Sequence, residues 1–226
     1  MYSEYDRLVK MGRIVEIDKR VKQFIMRYAD GIIVNVGAEL DTMFSRMDNG
    51  RIRWYNVDMP ETMELRRRML ESKDREQNIG KSILDFTWLD SVKKNQGEAI
   101  LFVCCDVTKY FTTKKLQAFL DAIWQRFPGA EVLFDVKNSV GRKQANLKVL
   151  TGKKKGSFIK VSIDNCTSLM YDWNIKYRVL YDRAILNKED ITDMFSDDVA
   201  RRYRHAIRRK YDKIIQLRLG TERIQF

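Results

Sequence analysis

The feature that most limits what this chain can fold into is a repeated exchange between short apolar runs and segments with helical spacing. Ile32-Ile33-Val34-Asn35-Val36 and Ala99-Ile100-Leu101-Phe102-Val103-Cys104 are nearly continuous apolar runs rich in strand-favouring residues. Runs of that kind belong to strands covered on both faces, as in parallel sheets. Further strands are expected from Arg51 to Val57, ending at Asp58, from Gln77 to Leu84, ending at Asp85, and from Glu131 to Asp135. Between them the spacing turns helical. Ile14, Ile17, Val21, Phe24 and Ile25 stripe one side of the first thirty residues. Short helices are expected from Leu40 to Arg46 and from Pro60, a good first helical residue, to about Leu70. Another runs from a Thr112 or Thr113 cap to Arg126, with Leu116, Phe119, Leu120 and Ile123 on one face. Five such β-α units predict a doubly wound sheet with right-handed crossovers. Two later strands, Lys176 to Tyr181 and Ile214 to Leu219, flank an Arg-rich helical insertion at about 187–212. The expected fold is therefore α/β and Rossmann-like: a mostly parallel seven-stranded sheet, helices on both faces, and an antiparallel last strand.

Length and composition narrow the classes. The 226 residues contain two prolines, Pro60 and Pro128, and no linker-like run or repeat, so one domain over 1–226 is expected. No stretch has the roughly 18 apolar residues of a membrane span. The three cysteines, two of them adjacent (Cys104, Cys105), form neither a disulfide framework nor a metal-ligand spacing, which fits a reducing, cytoplasmic setting. A formal charge of +12 raises the question of nucleic acid. The positive residues are dispersed, and the two dense stretches, Lys153-Lys154-Lys155 and Arg201 to Lys210, read as a solvated loop and a solvated helix face. Charge alone speaks for nucleic acid, and that reading ranks last.

In an open α/β sheet, ligands bind at the carboxyl ends of the strands, near the point where strand order reverses. Gly37 follows the first expected strand, Asp58 ends the second, Asp85 ends the third, and Cys104 to Asp106 follow the fourth. A glycine lets backbone approach a ligand. An acid after the second strand can accept two ribose hydroxyls, and one after the third can take the amine of an adenine. Both acids have a plainer alternative, as strand-end or helix-capping residues. The chain has one histidine, His205, inside the Arg-rich segment, and no nucleophile-base pair. Cys104 and Cys105 read as small buried residues rather than nucleophiles.

Longer motifs carry a family resemblance. Val34-Asn35-Val36-Gly37-Ala38-Glu39-Leu40-Asp41-Thr42 is similar to a glycine motif of the form V-N-L-G-x-G-L-D-T, and Arg53-Trp54-Tyr55-Asn56-Val57-Asp58-Met59-Pro60-Glu61 to R-W-Y-x-x-D-L-P-E. Lys81 to Asp85, Arg126 to Glu131 and Lys213 to Gly220 match in the same order. The chain thus resembles the leucine carboxyl methyltransferases, in particular their bacterial tetracenomycin-type O-methyltransferase branch. The resemblance implies S-adenosylmethionine as cofactor. It implies Gly37 against the methionine part, Asp58 on the ribose, Leu84 and Asp85 at the adenine, and Arg13, in the preceding helix, on the cofactor's carboxylate. Glu39 and Cys105 fall within the same cofactor motifs. Residues 31–135 would form the cofactor half and 136–226 the substrate-side half.

Three departures accompany the match. Glu39 replaces the motif's second glycine, Cys105-Asp106 replaces Glu-Gly after the fourth strand, and Thr108-Lys109 replaces an apolar pair. Family members also usually carry a longer N-terminal region over the active site. The acceptor implied is a carboxylate or hydroxyl of a small molecule. A carboxylate is already ionised and needs no general base, only cations and a dry pocket. Tyr110 is the candidate on the substrate side; no catalytic residue is assigned and no metal is expected. The alternative is a non-catalytic relative whose Glu39, Cys105 and Asp106 have altered the motif, serving as a binding or scaffold partner, with a homo-oligomer open in either case.

Overall fold

The computed structural model describes residues 4–153, 156–185 and 197–220. Its centre is a set of strands whose neighbouring side chains divide between two cores. In β1 (Ile32–Val36), Ile32, Val34 and Val36 enter one hydrophobic cluster and Ile33 enters the other. β4 (Ile100–Cys104) divides likewise, with Phe102 and Cys104 on one face and Leu101 and Val103 on the other. This two-sided burial is why both runs lack polar alternation.

The remaining strands are β2 (Arg53–Asp58), β3 (Glu76–Gly80), β5 (Glu131–Lys137), β6 (Tyr177–Ala184) and β7 (Asp212–Leu219). They form one seven-stranded sheet in the order β3-β2-β1-β4-β5-β7-β6. β1 to β5 pair in parallel, while β7 runs antiparallel between β5 and β6. The order reverses between β1 and β4, which places the expected ligand crevice above Val36 and Cys104.

Helices cover both faces. α1 (Glu4–Arg27) buries Ile17, Val21, Phe24 and Ile25 against one core, while Ile14 of the same stripe stays exposed. α2 (Met43–Met47) joins that face through Met43, Phe44 and Met47. It is shorter than the expected helix from Leu40, because the chain first turns at residues 38–41, where the Asp41 N–H bonds the Ala38 carbonyl, beside the site described below. α3 (Pro60–Met69) starts on its proline. α4 (Thr113–Arg126) lies on the other face with Leu116, Phe119, Leu120 and Ile123 buried, each contributing about 1.5–3 kcal/mol by removal from water. Thr112 is its cap, accepting the Lys115 N–H.

Three expectations need correcting. β3 stops at Gly80, not Asp85: the Lys81 N–H makes the last ladder bond to β2, on the Asp58 carbonyl at 2.9 Å, and the chain then turns away. After β3 comes a 3-10 turn, Phe86–Ser91, in place of an α-helix. α5 (Ser139–Leu150) and α6 (Cys166–Trp173) follow β5 where no helix was expected. Within the Arg-rich insertion, α7 spans Asp197–Arg209; residues 186–196 lie outside the described ones, as do Lys154 and Lys155 of the other basic stretch. α7 buries Ala200, Tyr203 and Ala206 and turns its arginines outward, the solvated face expected of it. No helix among the described residues is long and apolar enough to cross a membrane.

Candidate ligand site at the carboxyl edge of the sheet

Asp58 closes β2 with its carboxylate fixed in orientation. One oxygen accepts the Glu39 N–H at 2.9 Å and the other the Met59 N–H at 2.7 Å. Each oxygen keeps a free lone-pair direction, so the pair can still accept hydroxyl donors. The chain leaves β1 through Gly37 and Ala38, whose N–H groups meet the Val57 carbonyl at 2.8 and 3.2 Å. Gly37 has φ +72°, and a Cβ there would stand 2.5 Å from Val107 Cγ2. Glycine is therefore required on both conformational and steric grounds.

Glu39 is also left-handed, at φ 44°, a conformation that costs a side-chain-bearing residue roughly 1–2 kcal/mol. Arg66 of α3 helps hold it. This guanidinium is 3% exposed, donates to the Asp41 carbonyl at 2.6 Å and the Glu39 carbonyl at 3.3 Å, and pairs with Glu76 at 2.9 Å. Glu76 in turn accepts from Asn56, which accepts from the Trp54 indole. A buried polar network from three elements thus fixes the turn that orients Asp58.

Asp85 does not end a strand. It caps the 3-10 turn, accepting the Thr87 N–H at 3.1 Å, and the Thr87 hydroxyl, with that N–H, holds its carboxyl below the usual range. It nevertheless remains exposed, as does Leu84, and the Lys81–Asp58 backbone bond ties its turn to the end of β2.

Beyond β4 the residues form a charged cluster. Arg13 of α1 pairs with Asp135 at 3.0 Å and with Asp106 at 3.2 Å. The Asp106 N–H donates to Asp135 at 2.6 Å, and Lys109 reaches the second Asp106 oxygen at 2.5 Å. Burial opposes the Arg13 charge, but Asp135 and Asp106 hold its pKa above the ordinary value. Burial raises the Asp135 carboxyl, opposed by Arg13, and the Lys109 ammonium is raised through Asp106 against its own burial. Asp106 has φ 59° and is, with Glu39 and Lys210, one of three left-handed non-glycine residues among the described ones. Burial and Asp135 push the Cys105 thiol well up, and burial does the same to Cys104, so neither is poised as a thiolate. Tyr110 sits in the 3-10 turn Thr108–Tyr110, 55% exposed, with the Lys109 ammonium 5.0 Å from its ring centre. His205 is exposed and bonds Tyr211 at 2.9 Å, away from these groups in sequence and element. Among the described residues, no group of His, Cys, Asp and Glu is placed to hold a metal ion.

The strand ends thus carry Gly37, Glu39 and Asp58 as one bonded unit, and Arg13 with Asp106 as another. Arg66, Val107 and Asp135 were not expected there. Asp135 had a readable signal, being an acid at the end of a buried strand like Asp58. Arg66 had none beyond its place in a helix of mixed charge.

The residues that match a known family model run from 7 to 124, over half the chain, and the model is that of leucine carboxyl methyltransferase. The chain belongs to the leucine carboxyl methyltransferase family. A curated relative, the tetracenomycin polyketide synthesis O-methyltransferase TcmP of Streptomyces glaucescens, is 28% identical over 131 residues, covering 58% of this chain and 48% of the relative. The chain therefore spans about half the length of the curated relative it matches. Solved structures share the fold at low identity. A DUF574 family protein from Streptomyces avermitilis superposes with a TM-score of 0.64 at 8% identity, covering 92% of this chain and 82% of its own. Magnesium protoporphyrin IX methyltransferase from Synechocystis, solved with bound S-adenosylhomocysteine, gives 0.58 at 10% identity, covering 96% and 88%. For this member of the family, the mostly parallel sheet with β7 antiparallel is thus the methyltransferase fold that the motifs implied.

Proposed function

We propose that this protein is an S-adenosylmethionine-dependent methyltransferase whose acceptor is a carboxylate or hydroxyl group of a small molecule. The observation that carries the reading is Asp58: a carboxylate at the end of β2, locked by two backbone N–H groups beside a sterically obligatory glycine. The remaining lone pairs of Asp58 suit a pair of ribose hydroxyls, and the exposed Asp85 and Leu84 flank the neighbouring position for a purine. Gly37 adds no side chain of its own to the turn after β1, where Val107 packs closely.

The adenosine half of the cofactor fits these residues. The amino-acid half fits less well, because Arg13 is already engaged by Asp106 and Asp135. When bound, S-adenosylmethionine supplies a methyl group activated by a sulfonium. The protein's part is alignment and exclusion of water, since methyl transfer depends chiefly on placing the acceptor in line. An ionised acceptor needs no base, in keeping with two cysteines held as thiols and a histidine that lies on α7. We assign Tyr110, exposed after β4, to the acceptor side, and the excess of Lys and Arg draws anions towards the molecule.

Calorimetric titration with S-adenosylhomocysteine tests the reading. Binding that weakens at least tenfold in Asp58→Ala, with the thermal midpoint of the apo protein little changed, is the expected result. Absence of binding in both proteins, at millimolar ligand, would instead favour the scaffold alternative to which Glu39, Cys105 and Asp106 point.

A further inference from the structure

An adenosine seated with its ribose on Asp58 and its base towards Asp85 has one direction left for its 5′ tail. The strand order β3-β2-β1-β4 sends that tail from the end of β2 across β1 towards β4, about 10 Å at ordinary strand spacing. Two acids border this path. Glu39 is exposed in the turn after β1, and Asp106, whose side chain is 48% exposed, stands after β4. The cation that could receive an anionic tail, Arg13, is 15% exposed and engaged by two carboxylates, and Lys109 is drawn onto Asp106.

The backbone supports a placed rather than incidental Asp106. At φ 59° a glycine would be the unstrained choice, yet an aspartate is held there, its N–H on Asp135 and both of its oxygens on cations. Resting on the proposed adenosine site, we infer that Asp106 is a built-in counter-ion for Arg13, which withholds that guanidinium from a tail carboxylate and so weakens the hold on the amino-acid end of S-adenosyl ligands without excluding them. A neutral or cationic tail meets two acids without penalty. A tail carboxylate must displace Asp106 from Arg13 or lie beside it, and either costs affinity, even where the tail, as in S-adenosylhomocysteine, also carries an ammonium.

Two ligands separate the possibilities: 5′-methylthioadenosine, with a short neutral tail, and S-adenosylhomocysteine, with an amino-acid tail. By calorimetry the wild-type protein is expected to bind methylthioadenosine at least as tightly as S-adenosylhomocysteine. Asp106→Gly, which suits the left-handed backbone, is expected to tighten S-adenosylhomocysteine at least tenfold while changing methylthioadenosine less than threefold. Asp106→Asn keeps the shape and tolerates that backbone, and should shift the preference in the same direction. Adding Arg13→Gln to Asp106→Gly should remove the gain. A wild-type preference of tenfold or more for S-adenosylhomocysteine, or a ratio unchanged in both Asp106 variants, overturns the inference and leaves the adenosine site standing. Failure of every variant to bind either ligand overturns the site itself, and the inference with it.

Discussion

At Asp48 and Gly37, single residues set how the turns flanking β1 and β2 are built. Asp48 accepts two bonds from Arg75, both at 2.8 Å, and one from the Gly50 N–H at 2.9 Å, so it ties the turn before β2 to the residue before β3. Its burial alone would raise the carboxyl, but Arg75 and Gly50 hold it below the usual value. A carboxylate lowered in the folded state contributes stability above its unfolded pKa, about 3.9, and loses it as pH falls through the folded value. Asp48→Asn is therefore expected to cost about 1–3 kcal/mol at pH 7 in urea unfolding, and progressively less below pH 4. An equal cost at pH 7 and pH 3 would contradict the ion-pair account. For Gly37→Ala, the positive φ and the close Val107 methyl predict a loss of roughly 1–3 kcal/mol in stability. The same variant should bind S-adenosylhomocysteine at least tenfold more weakly, measured by calorimetry. These residues also show what could be read in advance. Gly37 and Asp58 were legible because their chemistry is local to a strand end. The engagement of Arg13 by Asp106 and Asp135 was not, because it joins α1 to residues roughly ninety and more positions away, which only the crossovers bring together.

The elements divide along the same line. β1, β4 and α4 were read almost to the residue, since burial on two faces or a one-sided stripe leaves a strong pattern. β3 was read too long because it is an edge strand, half-buried throughout, whose sequence Glu-Gln-Asn-Ile-Gly has no apolar alternation to mark its end. α5 was missed for a related reason. Among its residues only Gly141 is buried, so no stripe announces it. That glycine instead marks a close approach, as a Cβ on it would meet the Tyr211 carbonyl oxygen at 2.5 Å. Gly141→Ala is expected to destabilise the protein by about 1–3 kcal/mol, through overpacking of backbone that cannot give way. In α4, Thr112→Ala removes the cap on the Lys115 N–H and should cost about 1 kcal/mol. Thermal or urea unfolding of the two variants checks both, and a neutral Gly141→Ala would show that α5 and the approach to β7 can separate.

For the molecule as a whole, the two hydrophobic clusters are opposite faces of the same strands. β1, β4, β5 and β7 each contribute to both, for example Leu133 to one and Val132 and Phe134 to the other in β5. Neither layer of helices can leave without exposing strands that the other layer needs. Unfolding in urea is therefore expected to be one cooperative transition, with coincident tryptophan fluorescence and far-ultraviolet circular dichroism curves. The four tryptophans report from several elements, so separated transitions would be visible. The same continuity gives the site its rigidity, because Gly37, Asp58 and Asp106 all stand at the carboxyl ends of strands of one sheet. The proposed activity requires that this carboxyl edge receive an adenosine. A crystal structure of the protein with 5′-methylthioadenosine tests it most directly. Both ribose hydroxyls are expected within hydrogen-bond distance of Asp58, with the base beside Leu84 and Asp85. A ligand bound elsewhere, or one facing away from Asp58, would contradict it.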